Sequence, residues 1–228
     1  MSTTLDLSNP NRVIHAGVIL MNSETEILDV APIDLLHGLT KHWNKSFSSV
    51  LPDGVESKTI DLEFHWVSKN GPTIPRKLTS GINLVATDSF ETCPPLDIVL
   101  IGAHAAGYTP DETELAFVRK AYNDCSAFLS ICGGMLVPLQ AGILKGKTAT
   151  GPSVILEKLR QDAPETNWVR KRWVRDGKMW TSGALLNGLD MMFNFIKYHR
   201  GEGEDKLVDF WSQLGAWPDR DVDFKDVE

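Results

Sequence analysis

One stretch, residues 127–142, constrains this chain more than any other, and it reads AFLSICGGMLVPLQAG. An apolar run of strand length over 127–131 ends at a Cys-Gly-Gly turn, and an apolar segment of helical character follows. A strand that turns sharply into a helix lifts the side chain at the turn clear of the sheet and points the first N–H groups of the helix toward it. The side chain at this turn is a thiol, and the positive end of a helix favours a thiolate. The stretch therefore predicts a nucleophile elbow with Cys132 as the nucleophile.

An inert role for Cys132 is the alternative, because unpaired cysteines are often small buried side chains. Two glycines directly after the cysteine suit a tight turn better than a packed core, which favours the nucleophile. The other two cysteines, Cys93 and Cys125, lie in no such pattern and are expected to be structural. Three widely spaced cysteines fit neither a disulfide framework nor a zinc-binding motif, so we expect a reducing, cytoplasmic setting.

Composition and charge limit the kinds of molecule that the chain is expected to bind. The net charge of −7 over 228 residues argues against general binding to nucleic acid or to an anionic membrane. A cluster of basic residues over 170–175 is expected to be a solvated surface. We expect no signal peptide, since the N-terminus is polar, and no apolar run has the length of a membrane span. The expected organisation is an N-terminal arm over 1–12, a single domain over 13–216 and an acidic, frayed tail over 217–228.

Strand-like and helix-like segments alternate along the domain. Strands are expected at 13–21, 60–67, 81–86, 96–101 and 127–131, with two more about the turn at 176–177. Helices are expected at 33–43, 111–123, 154–160, 184–198 and 206–214, and the apolar side chains of 184–198, Leu185 among them, are assigned to a helix core or a dimer face. This alternation predicts an α/β domain with a mainly parallel sheet and a ligand site at the carboxyl ends of the strands.

Four segments carry a resemblance to a known family. They are GVIL…ILDVAPIDLL (17–36), CPPLDIVLIGAHAAG (93–107), AFLSICGGMLVPLQAGILKGKTAT (127–150) and WVRDGKMWTSGALLNGLDM (173–191). In this order they resemble the ThiJ/PfpI superfamily and, within it, the isocyanide hydratase-like branch, in a fungal-type form. The resemblance implies a flavodoxin-like sandwich that is usually homodimeric, with a cysteine nucleophile, a small-molecule substrate and neither a cofactor nor a metal.

The resemblance also implies two catalytic residues. The elbow cysteine of the family corresponds to Cys132, and the carboxylate that faces it corresponds to Asp29, where the hydratase branch has aspartate and much of the superfamily has glutamate. A carboxyl group beside a thiolate has a raised pKa, which suits it to exchange protons with substrate and water. Cys132 would attack the isocyanide carbon, Asp29 would protonate it, and water would release an N-substituted formamide. The simpler alternative is that Asp29 stabilises the start of a helix.

Five further residues are expected to bind the substrate or its negative charge. The backbone N–H groups of Gly133 and of the loop Gly102-Ala103-His104 would line the anionic side of the thiol, and Gly151 would border the pocket. His104 either contacts the substrate or only forms local hydrogen bonds. Gly133 is a departure from the family, where histidine or, in the hydratase branch, threonine often follows the cysteine. Gly151 also departs from the bacterial hydratases, which predicts a different pocket.

Two other functions remain open. A glyoxalase- or deglycase-like enzyme would act on reactive carbonyls, although a glycine after the cysteine removes the neighbouring base that some of those relatives use. A non-catalytic redox sensor would instead oxidise Cys132 to a sulfinate stabilised by Asp29.

Overall fold

The computed structural model describes residues 4–201 and 203–227. Its strands are β1 (Ile14–Leu20), β2 (Leu62–Ser68), β3 (Arg76–Leu78), β4 (Ile82–Leu84), β5 (Asp88–Ser89), β6 (Ile98–Ile101), β7 (Ala127–Ile131), β8 (Thr148–Ala149), β9 (Asn167–Trp168), β10 (Trp173–Asp176) and β11 (Met179–Ser182). Its α-helices are α1 (Ile27–Val30), α2 (Ile33–His37), α3 (Lys41–Lys45), α4 (Glu112–Asp124), α5 (Leu136–Gln140), α6 (Leu156–Asp162), α7 (Asn187–Arg200) and α8 (Lys206–Leu214). Short 3₁₀ segments complete the list, and one of them spans Cys132–Met135.

A seven-stranded sheet organises the fold, with the strand order β10-β11-β7-β6-β1-β2-β5. Neighbouring strands are parallel throughout, except for the antiparallel pair β10 and β11. The α/β, flavodoxin-like architecture with a mainly parallel sheet is therefore confirmed. Because β1, β6, β7 and β11 run in the same direction and are consecutive in the sheet, the loops that follow them meet at one edge.

The sheet is buried on both faces, which explains why its central strands are almost continuously apolar. Along β6, Ile98 and Leu100 belong to one core, and Val99 and Ile101 belong to the other. The first core includes buried residues of α2, α7 and α8, and the second includes buried residues of α4, α5 and α6. Two layers of helices thus hold the strand ends in place. Among the described residues, no helix combines the length and apolar character needed to cross a membrane.

Several boundaries differ from the expected ones for local reasons. The helix expected at 33–43 is divided into α2 and α3, because the Thr40 side chain accepts a hydrogen bond from the Trp43 N–H and starts a new helix. The strand expected at 81–86 is shorter and pairs with β3 outside the main sheet. The helix expected at 111–123 is confirmed, and Asp111 and Glu114 form a reciprocal capping box at its start.

Both ends of the chain pack more closely than the sequence suggested. In the expected N-terminal arm, Leu7 is buried, and the Leu5 carbonyl accepts a hydrogen bond from the Ser126 hydroxyl at 2.6 Å. In the expected frayed tail, Arg220 is paired with the fully buried Asp190 on α7. The outermost residues of both segments, 1–3 and 228, lie outside the described part of the chain.

One member of the basic cluster over 170–175 departs from the solvated surface that was expected, whereas Arg170 and Arg175 are exposed as predicted. Arg172 is only 2% exposed, and its guanidinium donates a hydrogen bond to Asp226 at 2.7 Å. The same guanidinium lies 4.5 Å from the centre of the Phe224 ring, and the Arg172 N–H donates to the Val222 carbonyl. The acidic tail therefore covers part of the basic cluster, because opposite charges far apart in sequence meet in the fold.

Candidate active site

Cys132 occupies the sharp turn at the end of β7. All five residues of β7 are buried, and the next residue, Cys132, has a left-handed backbone with a φ of 58°. A side chain in this region costs about 1–2 kcal/mol relative to glycine, so the surrounding packing must hold the turn in place. The thiol is half-buried, at the start of the segment Cys132–Met135. This geometry is the predicted elbow.

Two glycines allow the neighbouring loops to approach the elbow. A Cβ atom at Gly134 would lie 2.5 Å from the carbonyl oxygen of Ile101, where no side chain fits. A Cβ atom at Gly102 would lie 2.9 Å from the Cβ of Asp29. The absence of these side chains brings the ends of β6 and β7 against α1.

Asp29 is fully buried in α1 and accepts hydrogen bonds from two loops. Its Oδ2 accepts from the Ala103 N–H at 3.0 Å, and its Oδ1 accepts from the Leu185 N–H at 3.2 Å. The Ala103 carbonyl in turn accepts a hydrogen bond from the Glu26 N–H at 2.9 Å. Ala103 therefore holds the carboxylate, whereas the sequence analysis had assigned its N–H to the anionic side of the thiol.

Leu185 is the site residue that the sequence analysis missed. It precedes α7, its side chain is 40% exposed, and its φ is 52°. Its assignment to a helix core is therefore wrong, because the helix begins at Asn187 and the preceding residues form a turn, whereas its assignment to a dimer face stays a prediction. Its N–H favours the charged forms of both Asp29 and Cys132. In the sequence, one local signal pointed to Leu185 as a site residue. It comes just after the strand Met179–Ser182, whose carboxyl end lies at the site.

Burial, together with the nearby charge of Glu26, raises the pKa of Asp29 to about 6. The N–H groups of Ala103 and Leu185 and the hydrogen-bonding thiol of Cys132 oppose this shift. Since the pKa remains below 7, the carboxyl is mostly ionised at neutral pH and can accept a proton.

Burial also raises the pKa of the Cys132 thiol, to about 11, and the negative charge of Asp29 adds to the shift. The N–H groups of Gly133 and Leu185 favour the thiolate but do not outweigh these effects. Burial and the Asp29 charge therefore both favour the protonated thiol. This differs from the expectation that the helix start would favour a resting thiolate.

The ring of His104 packs against an aromatic side chain. Its ring meets Tyr108 edge to face, with centroids 5.3 Å apart, and the Tyr108 hydroxyl donates to buried Glu114 at 2.6 Å. Both ring nitrogens of His104 are buried without a hydrogen-bond partner in the described part of the chain. Burial lowers the pKa of His104, which keeps the ring neutral. The local hydrogen bonds expected for the His104 ring are therefore absent among the described residues, and its contact with the substrate stays a prediction.

The two remaining glycines lie at different places. A Cβ atom at Gly133 would be 3.4 Å from the Cβ of Ala103, so a small side chain fits beside the thiol. A Cβ atom at Gly151 would be 3.1 Å from Cε of Met135, which places Gly151 behind the segment that begins with Cys132. Cys132, Asp29, Gly102, Ala103 and Gly133 therefore come together, and Gly151 supports them from one side.

Comparisons with known proteins show the family and the fold of this chain. Residues 50–198 match the DJ-1/PfpI family, a range that includes the elbow and both surrounding loops but begins after Asp29. The chain is 30% identical over 169 residues to isonitrile hydratase from Pseudomonas putida, which covers 73% of this chain and 72% of that protein.

Two solved structures share the fold. A ThiJ/PfpI family protein from Pseudomonas syringae has a TM-score of 0.71 and 19% identity, over 95% of this chain and 80% of that one. Drosophila melanogaster DJ-1beta has a TM-score of 0.66 and 16% identity, over 89% of this chain and 98% of that one. At these identities the likeness concerns the fold alone.

Proposed function

Because the chain belongs to the DJ-1/PfpI family, we propose that it is a cofactor-free cysteine enzyme that adds water to an isocyanide or a related small electrophile. The product from an isocyanide is an N-substituted formamide. Cys132 is the nucleophile and Asp29 carries protons between thiol, substrate and water.

The observation that carries this proposal is the placement of the Cys132 thiol, on a sharp turn, beside the fully buried Asp29 carboxyl, which two backbone N–H groups hold in position. An isocyanide carbon must receive both a nucleophile and a proton. The pair formed by Cys132 and Asp29 supplies both from one side of the site, because the proton that leaves the sulfur has an acceptor next to it.

The first step forms a bond between Sγ and the isocyanide carbon. The thiol proton passes to Asp29 and then to the same carbon, which gives a thioimidate. The N–H groups of Gly133 and Leu185 favour the sulfur anion as it develops, since both lower the pKa of the thiol.

The second step consumes one water molecule. Its oxygen bonds to the thioimidate carbon while the substrate nitrogen gains a proton, with Asp29 as the relay. The C–S bond then breaks, the hydroxyl proton returns to sulfur, and the formamide leaves. The site regains a neutral thiol and an ionised carboxylate.

The relative that is 30% identical is an isonitrile hydratase, which favours this reaction over carbonyl chemistry. Gly133 supplies no base directly after the nucleophile, which argues in the same direction.

The test is formamide production from a panel of aliphatic and aromatic isocyanides, with Cys132→Ala and Asp29→Asn in parallel. We expect turnover by the unmodified chain and loss of it in both variants. Turnover of methylglyoxal but of no isocyanide would replace the hydratase by a carbonyl-directed enzyme. Selective oxidation of Cys132 by dilute peroxide, without turnover of any substrate, would support the sensor instead.

We also propose that the chain forms a homodimer, as the family resemblance implies. Leu28 and Leu186, next in sequence to the site residues Asp29 and Leu185, expose apolar side chains that an interface could cover. Light scattering should give about twice the chain mass of 25.3 kDa, and a monomeric mass would remove the proposal.

A further inference from the structure

A second cluster of reactive side chains lies on the sheet, away from the thiol. It consists of His15 on β1 and Glu63 and His65 on β2. His15 and Glu63 are paired in register, and His65 follows two residues later, so all three side chains lie on the same face of neighbouring strands. One ligand atom from each lies within 4.8 Å of the other two.

The contacts within the cluster are close. Nδ1 of His15 lies 2.9 Å from Nε2 of His65 and 3.7 Å from a carboxylate oxygen of Glu63. His15 is the second residue of β1, whereas Asp29 lies beyond the carboxyl end of that strand. The five residues that follow His15 in β1 span about 16 Å, and this length separates the histidine cluster from the site around the thiol.

The carboxylate of Asp88 orients the His65 ring through the ring nitrogen that does not face His15. Nδ1 of His65 lies 3.0 Å from Oδ2 of Asp88 on β5, and the Thr87 hydroxyl donates to that same oxygen at 2.7 Å. With Asp88 as the acceptor for the Nδ1 proton, the lone pair of Nε2 is directed at His15. A carboxylate on the far nitrogen of a metal-binding histidine is the usual arrangement in proteins.

The backbone of His15 is also fixed. Its N–H donates to Oδ2 of Asp97 at 3.0 Å, and its carbonyl accepts from the Asp97 N–H at 2.8 Å. The Asp97 carboxylate is held in turn by two hydrogen bonds from Arg12, each 2.7 Å long. The backbone of His15 therefore stays in place when a ligand enters, and its side chain alone adjusts.

We propose that His15, Glu63 and His65 bind a zinc-class divalent cation. The donors are Nδ1 of His15, Nε2 of His65 and a carboxylate oxygen of Glu63, and the fourth position is open to water. Two imidazoles select zinc and its neighbours over magnesium and calcium, which prefer oxygen ligands.

Binding replaces the hydrogen bond between the two rings. The neutral His15 ring then carries its proton on Nε2, so its Nδ1 lone pair is free for the metal. The side chains of His15 and Glu63 are 26% and 61% exposed, which gives the cation a route from solvent, while that of His65 is only 6% exposed. The metal links β1 to β2 and takes no part in the proposed reaction at Cys132.

A hydrogen-bonded relay from Asp88 through His65 to His15 is the competing explanation. That relay leaves Glu63 without a function, because its carboxylate lies 3.7 Å from His15 and completes no hydrogen bond there. A contribution of Glu63 to metal binding therefore distinguishes the two explanations.

The experiment is a titration of the full chain with Zn²⁺ against a chromophoric chelator. To remove the thiolate as a competing ligand, the titration uses a Cys132→Ser background. We expect one tight site per chain, and Glu63→Gln and His15→Gln should each weaken it at least about tenfold. His42→Gln is the matched control, since His42 is exposed on α3 and should leave the affinity unchanged.

Substitution with Co²⁺ gives a second readout. A four-coordinate site with nitrogen and oxygen ligands gives strong visible bands without a thiolate charge-transfer band, and a rise in Tm should accompany binding. Absence of a tight site, equal affinity in Glu63→Gln, or a thiolate band from the remaining cysteines would overturn the proposal. Each of these results is independent of isocyanide turnover.

Discussion

Leu185 donates its backbone N–H to the carboxylate of Asp29 at 3.2 Å, although 156 residues of sequence separate them. The φ of Leu185 is 52°, a conformation in which a side chain is strained. The turn that follows β11 therefore keeps an unfavourable backbone geometry in which its N–H meets the buried carboxylate. This relationship depends on the backbone of Leu185 rather than on its side chain.

Leu185→Gly should preserve the site. Glycine keeps the N–H and adopts a positive φ without strain, so we expect formamide formation within about twofold of the unmodified chain and stability equal or higher by about 1 kcal/mol. Leu185→Pro removes the N–H and also displaces the turn, because proline holds φ near about −65°, so it should abolish turnover. Steady-state kinetics and chemical denaturation measure both effects, and full activity in a folded Leu185→Pro variant would contradict the role of the N–H.

The activity should depend on pH through Asp29. Its pKa, raised to about 6 by burial, means that the carboxylate needed to accept the thiol proton is present above pH 6 and is lost as the pH falls through that value. We expect kcat/KM to fall about tenfold for each pH unit well below 6.

A neighbouring residue offers a matched variant for this pH profile. The charge of Glu26 raises the pKa of Asp29, so Glu26→Gln should move the acidic limb to lower pH. The Thr79 hydroxyl donates to Oε1 of Glu26, and a glutamine oxygen can accept the same hydrogen bond. A limb that stays at the same pH in this variant would show that another group controls the profile.

The two glycines after the nucleophile should differ in their tolerance of a methyl group. Gly134→Ala places Cβ 2.5 Å from the Ile101 carbonyl oxygen, which forces the backbone apart and should destabilise the fold by about 1–3 kcal/mol. Gly133→Ala places Cβ at an acceptable 3.4 Å from Ala103 and should change stability by less than about 0.5 kcal/mol. Thermal unfolding of the pair checks the contrast, and equal Tm values would contradict it.

The tail should contribute to stability through Asp226. This carboxylate accepts two hydrogen bonds from the buried guanidinium of Arg172, at 2.7 and 3.0 Å, and Asp226→Asn should cost about 1.5–3 kcal/mol. Asp223→Asn is the control, because the Lys171–Asp223 pair is 43% exposed on each side and should be worth less than about 1 kcal/mol. Urea denaturation of both variants tests this, and an equal effect would argue against a specific role of Asp226.

The elbow and the carboxylate could be predicted because their signals are local. Cys132 follows a strand-length apolar run and precedes two glycines, and Asp29 lies in a segment that resembles the same family. The parallel sheet followed from the alternation of strands and helices. These features depend on neighbouring residues, which a sequence displays directly.

The remaining features depend on contacts between distant residues. Leu185 looked like an ordinary apolar member of a helix, and only the register of β11 beside β7 brings its N–H to Asp29. Arg172 looked like part of a solvated basic cluster until the tail supplied Asp226. The raised pKa of Cys132 follows from burial, which no spacing of residues reveals.

The groups around the thiol follow four strands that lie side by side in the sheet. Asp29 comes after β1, Ala103 after β6, Cys132 after β7 and Leu185 after β11. Adjacent strands are about 4.8 Å apart, and β6 lies between β1 and β7, so the chain that leaves β1 must carry Asp29 across the end of β6 to reach the thiol. Gly102 permits this crossing, because a Cβ atom there would lie 2.9 Å from Cβ of Asp29. A single hydrogen atom in place of a side chain thus allows groups from two strands that are not neighbours to meet.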